Sequence, residues 1–270
     1  MKIAISNIAW QQKEEENVAQ IMQHFGIKGV EIAPTKIWQF PLLATEEEIY
    51  SYRKFWQSRN IKIVAMQALL FGRNDLTIFQ DSSKRQETLL YLVGMIELGR
   101  KLGAKILVFG SPKNRKIGDL DVQKAKKIAH VFFYELGEIA AKYEMFFCIE
   151  PNPTAYECDF ITTSWQGLEL VTQTNSKGFG LHLDAAGMSL SQEYLATALN
   201  NCHRQLCHFH ISEPYLAPIG EGGVKHRIFA QILSELNYNR WVSIEMKALN
   251  DRDNIVHVTQ ALEKAIQYYG

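Results

Sequence analysis

The sequence has no excess of charge of either sign, and this narrows the range of partners. Its 29 lysine and arginine residues balance 29 aspartate and glutamate residues, and no block of basic residues interrupts the chain. Proteins that bind a polyanion such as DNA usually carry a basic patch or stripe. We therefore predict a small-molecule partner and no nucleic acid.

Cysteine is also scarce, and long apolar runs are missing. The four cysteines have no CxxC spacing, and two of them lie in predicted strands, where cysteine behaves as a small apolar residue. No segment approaches the roughly 20 apolar residues that span a bilayer. The N-terminal run reaches the acidic "KEEEN" too early for a signal-peptide core. We expect a reduced cytoplasmic protein with no membrane partner.

Short β-rich runs alternate with longer amphipathic runs along the whole chain, and no Pro/Gly/Ser linker separates them. This alternation is typical of repeated βα units. The runs between strands carry helix signals, such as the capping-box pair Thr45 and Glu48. The predicted strands are 2–8, 29–33, 61–69, 104–110, 145–150, 178–184, 206–212 and 241–247.

Eight strands and eight helices in strict alternation predict an α/β fold, a (β/α)8 TIM barrel that forms a single domain over residues 1–270. An open doubly wound sheet is the alternative. No GxGxxG motif follows the first strand, which disfavours a dinucleotide-binding sheet.

The last four strands carry ionisable residues on one face. Because side chains alternate along a strand, their apolar members mark the helix-facing side, which includes Cys207 and Phe209 in strand seven. The opposite side then faces the barrel axis. It collects Cys148 and Glu150, His182 and Asp184, His208 and His210, and Ser243 and Glu245.

The C-terminal strand ends form the mouth of a TIM barrel, so Glu150, Asp184, His210 and Glu245 are predicted to converge there. Three clustered carboxylates repel one another unless a cation or bound protons compensate them. Three oxygens and one nitrogen suit one divalent metal ion, with Mn²⁺ as first choice and Mg²⁺, Co²⁺ or Zn²⁺ as alternatives. A single strand-end glutamate more often anchors a loop, and a single core histidine is usually just hydrogen-bonded. The common position on four successive strands favours a metal site.

At these residues the sequence resembles the xylose isomerase-like TIM barrel superfamily, which includes sugar phosphate isomerases and epimerases, ketose 3-epimerases, inosose dehydratases and the AP endonuclease family 2 branch. The resemblance covers nearly the whole chain. It is carried by "CIEPNP", "GLHLDAAGM", "HFHISEP" and "VSIEMK". It implies a metal-dependent enzyme in which Glu150, Asp184, His210 and Glu245 take the four metal-ligand places.

The departures from the superfamily are informative. Ketose 3-epimerases carry a histidine three residues past the aspartate and an arginine after the strand-seven histidine, where this chain has Gly187 and Leu216. Their substrate clamp is therefore not reproduced. The additional zinc-binding histidines of endonuclease IV are also missing, since the third strand offers Gln67 and the fourth is followed by "VFGSP". This disfavours cleavage of abasic sites.

We predict that Glu150 and Glu245 are the catalytic pair, removing and returning a proton through an enediolate. Substrate contacts are predicted for seven residues near the mouth. Two of them, His182 and His208, could instead orient the metal ligands from one layer deeper. The seven are Trp10, Glu31, Gln67, Asn152, Tyr156, His182 and His208.

The predicted function is a metal-dependent sugar or sugar phosphate isomerase or epimerase that acts on a hydroxyketone or hydroxyaldehyde. A metal-dependent dehydratase of an inosose-like substrate is the enzyme alternative, because it shares the first proton abstraction. A catalytically silent barrel that binds a ligand is the alternative of another class. The expected partners are a small carbohydrate and, in a homo-oligomer, further copies of the chain.

Overall fold

The computed structural model describes residues 1–270 and contains a closed barrel of eight parallel strands in sequential order. The barrel closes through pairing of the first and last strands, with Ile3 opposite Val242. The (β/α)8 prediction is confirmed. The strands are β1 (Lys2–Ser6), β2 (Gly29–Ile32), β3 (Lys62–Met66), β4 (Ile106–Phe109), β5 (Phe146–Ile149), β6 (Phe179–Asp184), β7 (Leu206–Ser212) and β8 (Trp241–Glu245).

Nine α-helices surround the strands, so the expected strict alternation with eight helices is wrong at one place. Two helices lie between β6 and β7. Asp184 caps a six-residue helix directly at the strand end, and a short non-helical segment separates this helix from the next one. The helices are α1 (Glu15–His24), α2 (Glu46–Gln57), α3 (Ser82–Leu102), α4 (Val122–Lys142), α5 (Ser164–Thr174), α6 (Ala185–Leu190), α7 (Leu195–Cys202), α8 (His226–Glu235) and α9 (Asn254–Tyr269).

Helix starts follow from local sequence. Thr45 and Glu48 form the predicted capping box at α2, and Asp81 and Asp121 accept backbone hydrogen bonds that cap α3 and α4. Such caps satisfy N–H groups that the first helical turn leaves without partners. Each helix can then cover the outside of the barrel with its apolar side.

The axis of the barrel is apolar at the strand beginnings and polar at the strand ends. The apolar floor consists of Ala4, Val64, Ala65, Ile106, Val108, Cys148 and Cys207. Cys207 was expected to face the helices, and this expectation is wrong. The pairing of β6 with β7 shifts between Leu181 and His182, so one extra β7 residue turns inward. A Cβ at Gly180 would lie 2.4 Å from the Cys207 sulfur.

All four cysteines are buried free thiols. None of the helices is both long enough and apolar enough to cross a membrane. A shallow groove of about 940 Å³ lies at the strand beginnings, near Lys2 and Asn239, and is lined by no acidic or histidine side chain. The polar chemistry is concentrated at the other end.

Candidate metal centre

Four consecutive strands deliver the candidate ligands to one point. Glu150 directly follows β5, Asp184 and Glu245 are the last residues of β6 and β8, and His210 lies near the end of β7. One ligand atom from each of the four lies within 4.8 Å of the others. The strands therefore bring the predicted ligand set together.

Asp184 is held by hydrogen bonds on both carboxylate oxygens. The Gly187 N–H donates to Oδ1 at 2.6 Å, which caps α6, and the Ser212 hydroxyl donates to Oδ2. Ser212 in turn accepts a bond from the Ala186 N–H at 3.0 Å. Sequence reasoning missed Ser212, although it shares its side of β7 with His208 and His210.

Glu150 occupies space that a side chain at Gly110 would fill. A Cβ at Gly110 would lie 2.2 Å from Glu150 Oε2, so glycine at the end of β4 leaves room for this carboxylate. Arg115 is fully buried and donates from Nη2 to the backbone oxygen of Glu150 at 2.7 Å. The burial of Arg115 was not expected from the sequence, because a loop arginine is usually exposed.

The three carboxylates repel one another, and burial adds to the free-energy cost of ionising them. Burial, together with the charges of Glu245 and Glu150, raises the pKa of Asp184 to about 7. Burial also raises the pKa values of Glu150 and Glu245, against the opposing effect of His210. A bound divalent cation would compensate the clustered negative charges and so favour the ionised form of each carboxylate.

The donor set fits a divalent metal ion. His210 Nδ1 is buried without a hydrogen-bond partner and lies 3.3 Å from Glu245 Oε2 and 3.9 Å from Glu150 Oε1. A buried ring nitrogen that has no hydrogen-bond partner and faces carboxylate oxygens is in a position where a shared cation would satisfy all of them. Glu150, Asp184, His210 and Glu245 are the residues that could hold it.

One layer deeper lies a fully buried group of polar side chains. His210 Nε2 donates to Glu31 Oε2 at 2.9 Å, and His208 Nε2 lies 3.6 Å from the same oxygen. His182 Nε2 lies 3.5 Å from Glu150 Oε1. Both ring nitrogens of His182 and of His208 have no hydrogen-bond partner. Glu31, His182 and His208 therefore lie beneath the candidate ligands, on the side away from the cavity.

A cavity of about 480 Å³ opens above the carboxylates. Gln67, Asn152 and Tyr156 line it together with Glu150, Asp184 and Glu245, and Lys247 is its one basic lining residue. The Tyr215 N–H donates to the Tyr156 hydroxyl at 3.0 Å, which joins the loops after β5 and β7 across the opening. Tyr215, Leu216 and Lys247 also line the cavity, and only Tyr215 had not been singled out from the sequence.

Four of the seven predicted substrate contacts do not line this cavity. Trp10 is buried against Trp56, with ring centroids 6.4 Å apart. Glu31, His182 and His208 have no exposed surface. Gln67, Asn152 and Tyr156 remain the cavity-lining members of the predicted set.

With fold and geometry in place, the family of the chain is evident. Residues 19–268 match the family model of the xylose isomerase-like TIM barrel, and the chain belongs to that family. No curated protein sequence matches the chain.

Solved structures show the same fold at low sequence identity. D-psicose 3-epimerase from Clostridium cellulolyticum H10, solved with D-tagatose, is 15% identical with a TM-score of 0.82, and the match covers 100% of this chain and 99% of that chain. The IolI protein with a binding zinc atom is 18% identical with a TM-score of 0.79, covering 100% and 98%. The probable 3-DHS dehydratase AsbF from Bacillus anthracis is 15% identical with a TM-score of 0.74, covering 100% of both chains.

Proposed function

We propose that the protein is a divalent-metal-dependent isomerase or epimerase of a sugar or sugar phosphate that carries a hydroxyketone or hydroxyaldehyde group. The observation that carries the proposal is the convergence of Glu150, Asp184, His210 and Glu245 within 4.8 Å. Three of them line a cavity whose volume of about 480 Å³ suits a small polar ligand. The epimerase solved with D-tagatose has the same fold, which is consistent with this assignment.

The four residues would hold one metal ion, with Mn²⁺ as our first choice. Three hard oxygen donors and one imidazole suit Mn²⁺, and Mg²⁺, Co²⁺ and Zn²⁺ remain candidates. A divalent cation bound there supplies Lewis acidity that polarises a carbonyl group. The zinc atom of the IolI structure supports a metal in this fold without identifying the metal here.

Glu150 and Glu245 are the proposed proton-transfer groups. Since β6 and β7 stand between β5 and β8, these two carboxylates flank Asp184 and His210 in the ring of ligands. Burial raises the pKa of both carboxyl groups, which brings them closer to the range in which a base exchanges protons efficiently at neutral pH. One carboxylate would remove the proton next to the carbonyl, giving an enediolate, and the other would return it.

The side chains at the rim would orient the substrate hydroxyls. Gln67 Oε1 and Asn152 Oδ1 are buried acceptors without hydrogen-bond partners, and both residues line the cavity. Two acceptors next to the ligand cluster suit a polyhydroxylated molecule. Leu216 occupies the place of the clamp arginine of ketose 3-epimerases, so we propose a substrate held differently from a free ketohexose.

A dehydratase is the second candidate, because loss of a β-hydroxyl can follow the same proton abstraction at the same residues. The AsbF structure shows that a protein named as a dehydratase also has this fold. The cytoplasmic location and any assembly of identical chains remain predictions.

The test uses the purified full chain with Mn²⁺ in D₂O and a panel of ketoses, aldoses and inososes. We expect deuterium to enter one carbon of a substrate, with loss of this exchange after chelation and recovery when Mn²⁺ is restored. A product of unchanged mass apart from deuterium indicates an isomerase or epimerase, and loss of water indicates a dehydratase. A protein that binds Mn²⁺ but exchanges none of the panel would favour the silent binding module.

A further inference from the structure

Glu31 is a fully buried carboxylate that neither the cavity nor the solvent reaches. It lies on β2, has no exposed surface, and is absent from the cavity lining. Burial of a charged carboxylate is costly unless specific partners compensate it. Its contacts therefore indicate what it does.

Its shortest contact is with the imidazole of the candidate ligand His210. Glu31 Oε2 accepts a hydrogen bond from His210 Nε2 at 2.9 Å, across the barrel and 179 residues away in sequence. A carboxylate can only accept at this contact, so the ring proton must reside on Nε2. The lone pair of the neutral ring is then on Nδ1, the nitrogen that lies 3.3 Å from Glu245 Oε2.

We propose that Glu31 is a positioning residue that holds His210 in the Nε2–H tautomer, so that Nδ1 faces the metal centre and binds the ion tightly. The inference rests on the metal site of the proposed function. A charged acceptor behind a metal-binding imidazole both fixes the ring and increases its basicity, and loss of such a partner typically costs about 10- to 100-fold in metal affinity. This role replaces the substrate contact that the sequence suggested for Glu31.

A second buried carboxylate provides a matched comparison. Glu213 also has no exposed surface and faces an imidazole, with His226 Nε2 at 3.2 Å from its Oε1, although unlike Glu31 it borders the cavity. It also accepts the backbone N–H groups of Gly220 and Val224, and thus anchors the loop after β7. Glu213 contacts none of the four candidate ligands through a hydrogen bond. The two Glu–His pairs separate an effect on the metal from a general effect of losing a buried carboxylate.

The experiment compares Glu31→Gln with Glu213→Gln in the full chain, and measures Mn²⁺ affinity by competition with a chelating dye. We expect Glu31→Gln to weaken Mn²⁺ binding about 10- to 100-fold. Glu31→Asp, which keeps the charge, should recover part of the loss. Glu213→Gln should lower the melting temperature of the metal-free protein and leave Mn²⁺ affinity nearly unchanged. Equal losses of affinity in both Gln variants, or wild-type affinity in Glu31→Gln, would overturn the proposal.

Nitrogen NMR of histidine-labelled, metal-free wild-type protein reads the protonation of each ring nitrogen directly. With His210→Gln used to assign the signals, we expect Nε2 of His210 to carry a proton, because this nitrogen faces the Glu31 carboxylate at 2.9 Å. An Nδ1–H tautomer would refute the positioning role. Absence of Mn²⁺, Co²⁺ or Zn²⁺ binding by the wild-type protein would instead refute the proposed metal site, so the two failures are distinguishable.

Discussion

The two halves of the barrel end in different chemistry although their strands are built alike. In β5 to β8, each strand brings one candidate ligand to the axis at the mouth. In the first four strands and the residues directly after them, the axis positions nearest the mouth hold Ser6, Glu31, Gln67 and Gly110. The first half thus contributes one carboxylate, and it lies below the ligand layer.

The difference assigns complementary tasks to the halves. The second half collects the charges that a cation could bind, while the first half supplies neutral groups and open space. Gln67 Nε2 donates to Ser6 Oγ at 2.8 Å, and Gly110 leaves room for Glu150. We expect changes in the second half to affect chemistry most and changes in the first half to affect binding and placement.

The largest effect is expected for Glu245→Gln, which removes a proposed base while keeping its shape. At saturating Mn²⁺, deuterium exchange into the substrate should fall by about 10²- to 10⁴-fold, the usual contribution of general acid–base catalysis, while substrate binding is mostly retained. Glu144→Gln, an exposed residue far from the cavity, is the control. Near-normal exchange in Glu245→Gln would show that Glu245 is not the base.

The next effect tests whether the first half of the barrel contributes by leaving room for the Glu150 carboxylate. Gly110→Ala should displace the Glu150 carboxylate, since the added Cβ would lie 2.2 Å from Oε2. We expect Mn²⁺ affinity to fall by about tenfold, which corresponds to ~1.4 kcal/mol.

Gly94→Ala is the matched control for this variant. Gly94 lies in α3, where the added methyl meets only the flexible end of Leu42. Its Mn²⁺ affinity should stay at the wild-type value. A Gly110→Ala protein that binds Mn²⁺ equally well would mean that Glu150 can move without loss.

How much of this could be predicted from sequence differs between the halves. In β5 to β8 the apolar residues fix which side faces the helices, and the ionisable residues on the other side are few enough to identify. The strand count, the barrel and the convergence of Glu150, Asp184, His210 and Glu245 followed from this pattern. The bulge at Cys207 escaped it, because one extra residue in a strand does not disturb the local pattern of polarity.

Contacts that join distant strands were outside the reach of sequence. Glu31 has an apolar neighbour on each side, so the pattern placed it on the axis but could not show its depth relative to His210. Arg115 likewise has its partner, the backbone oxygen of Glu150, 35 residues away. Such contacts depend on the stagger of the strands in the barrel and on the course of the loops. Neither can be read from the spacing of residues close together in the sequence.

A smaller effect is expected for Gln67→Ala in the first half. The variant removes a buried acceptor that lines the cavity and has no partner of its own. Loss of one neutral hydrogen bond of about 1 kcal/mol should raise KM roughly fivefold with little change in kcat. Ser6→Ala, which removes the partner of Gln67 Nε2 and the acceptor of the Ile8 N–H, should change KM less. A large fall in kcat for Gln67→Ala would place this residue in the chemistry and break the division between the halves.

The smallest effect is a pH dependence of stability that originates in the second half. The pKa of Asp184 is raised from 3.8 to about 7, so this group stabilises the metal-free fold at low pH, and its contribution is lost as pH rises through about 7. The raised pKa values of Glu150 and Glu245 act in the same direction. The metal-free protein should therefore melt a few degrees lower at pH 8 than at pH 5.5.

With Mn²⁺ the dependence should reverse, because metal binding requires ionised carboxylates and so strengthens as pH rises. Differential scanning calorimetry at both pH values, with and without Mn²⁺, measures the two slopes. Asp184→Asn should flatten the metal-free slope, since the amide does not titrate. A wild-type slope of the same sign with and without Mn²⁺ would contradict the assignment of these carboxylates as a cation site and leave both halves of the barrel with structural roles only.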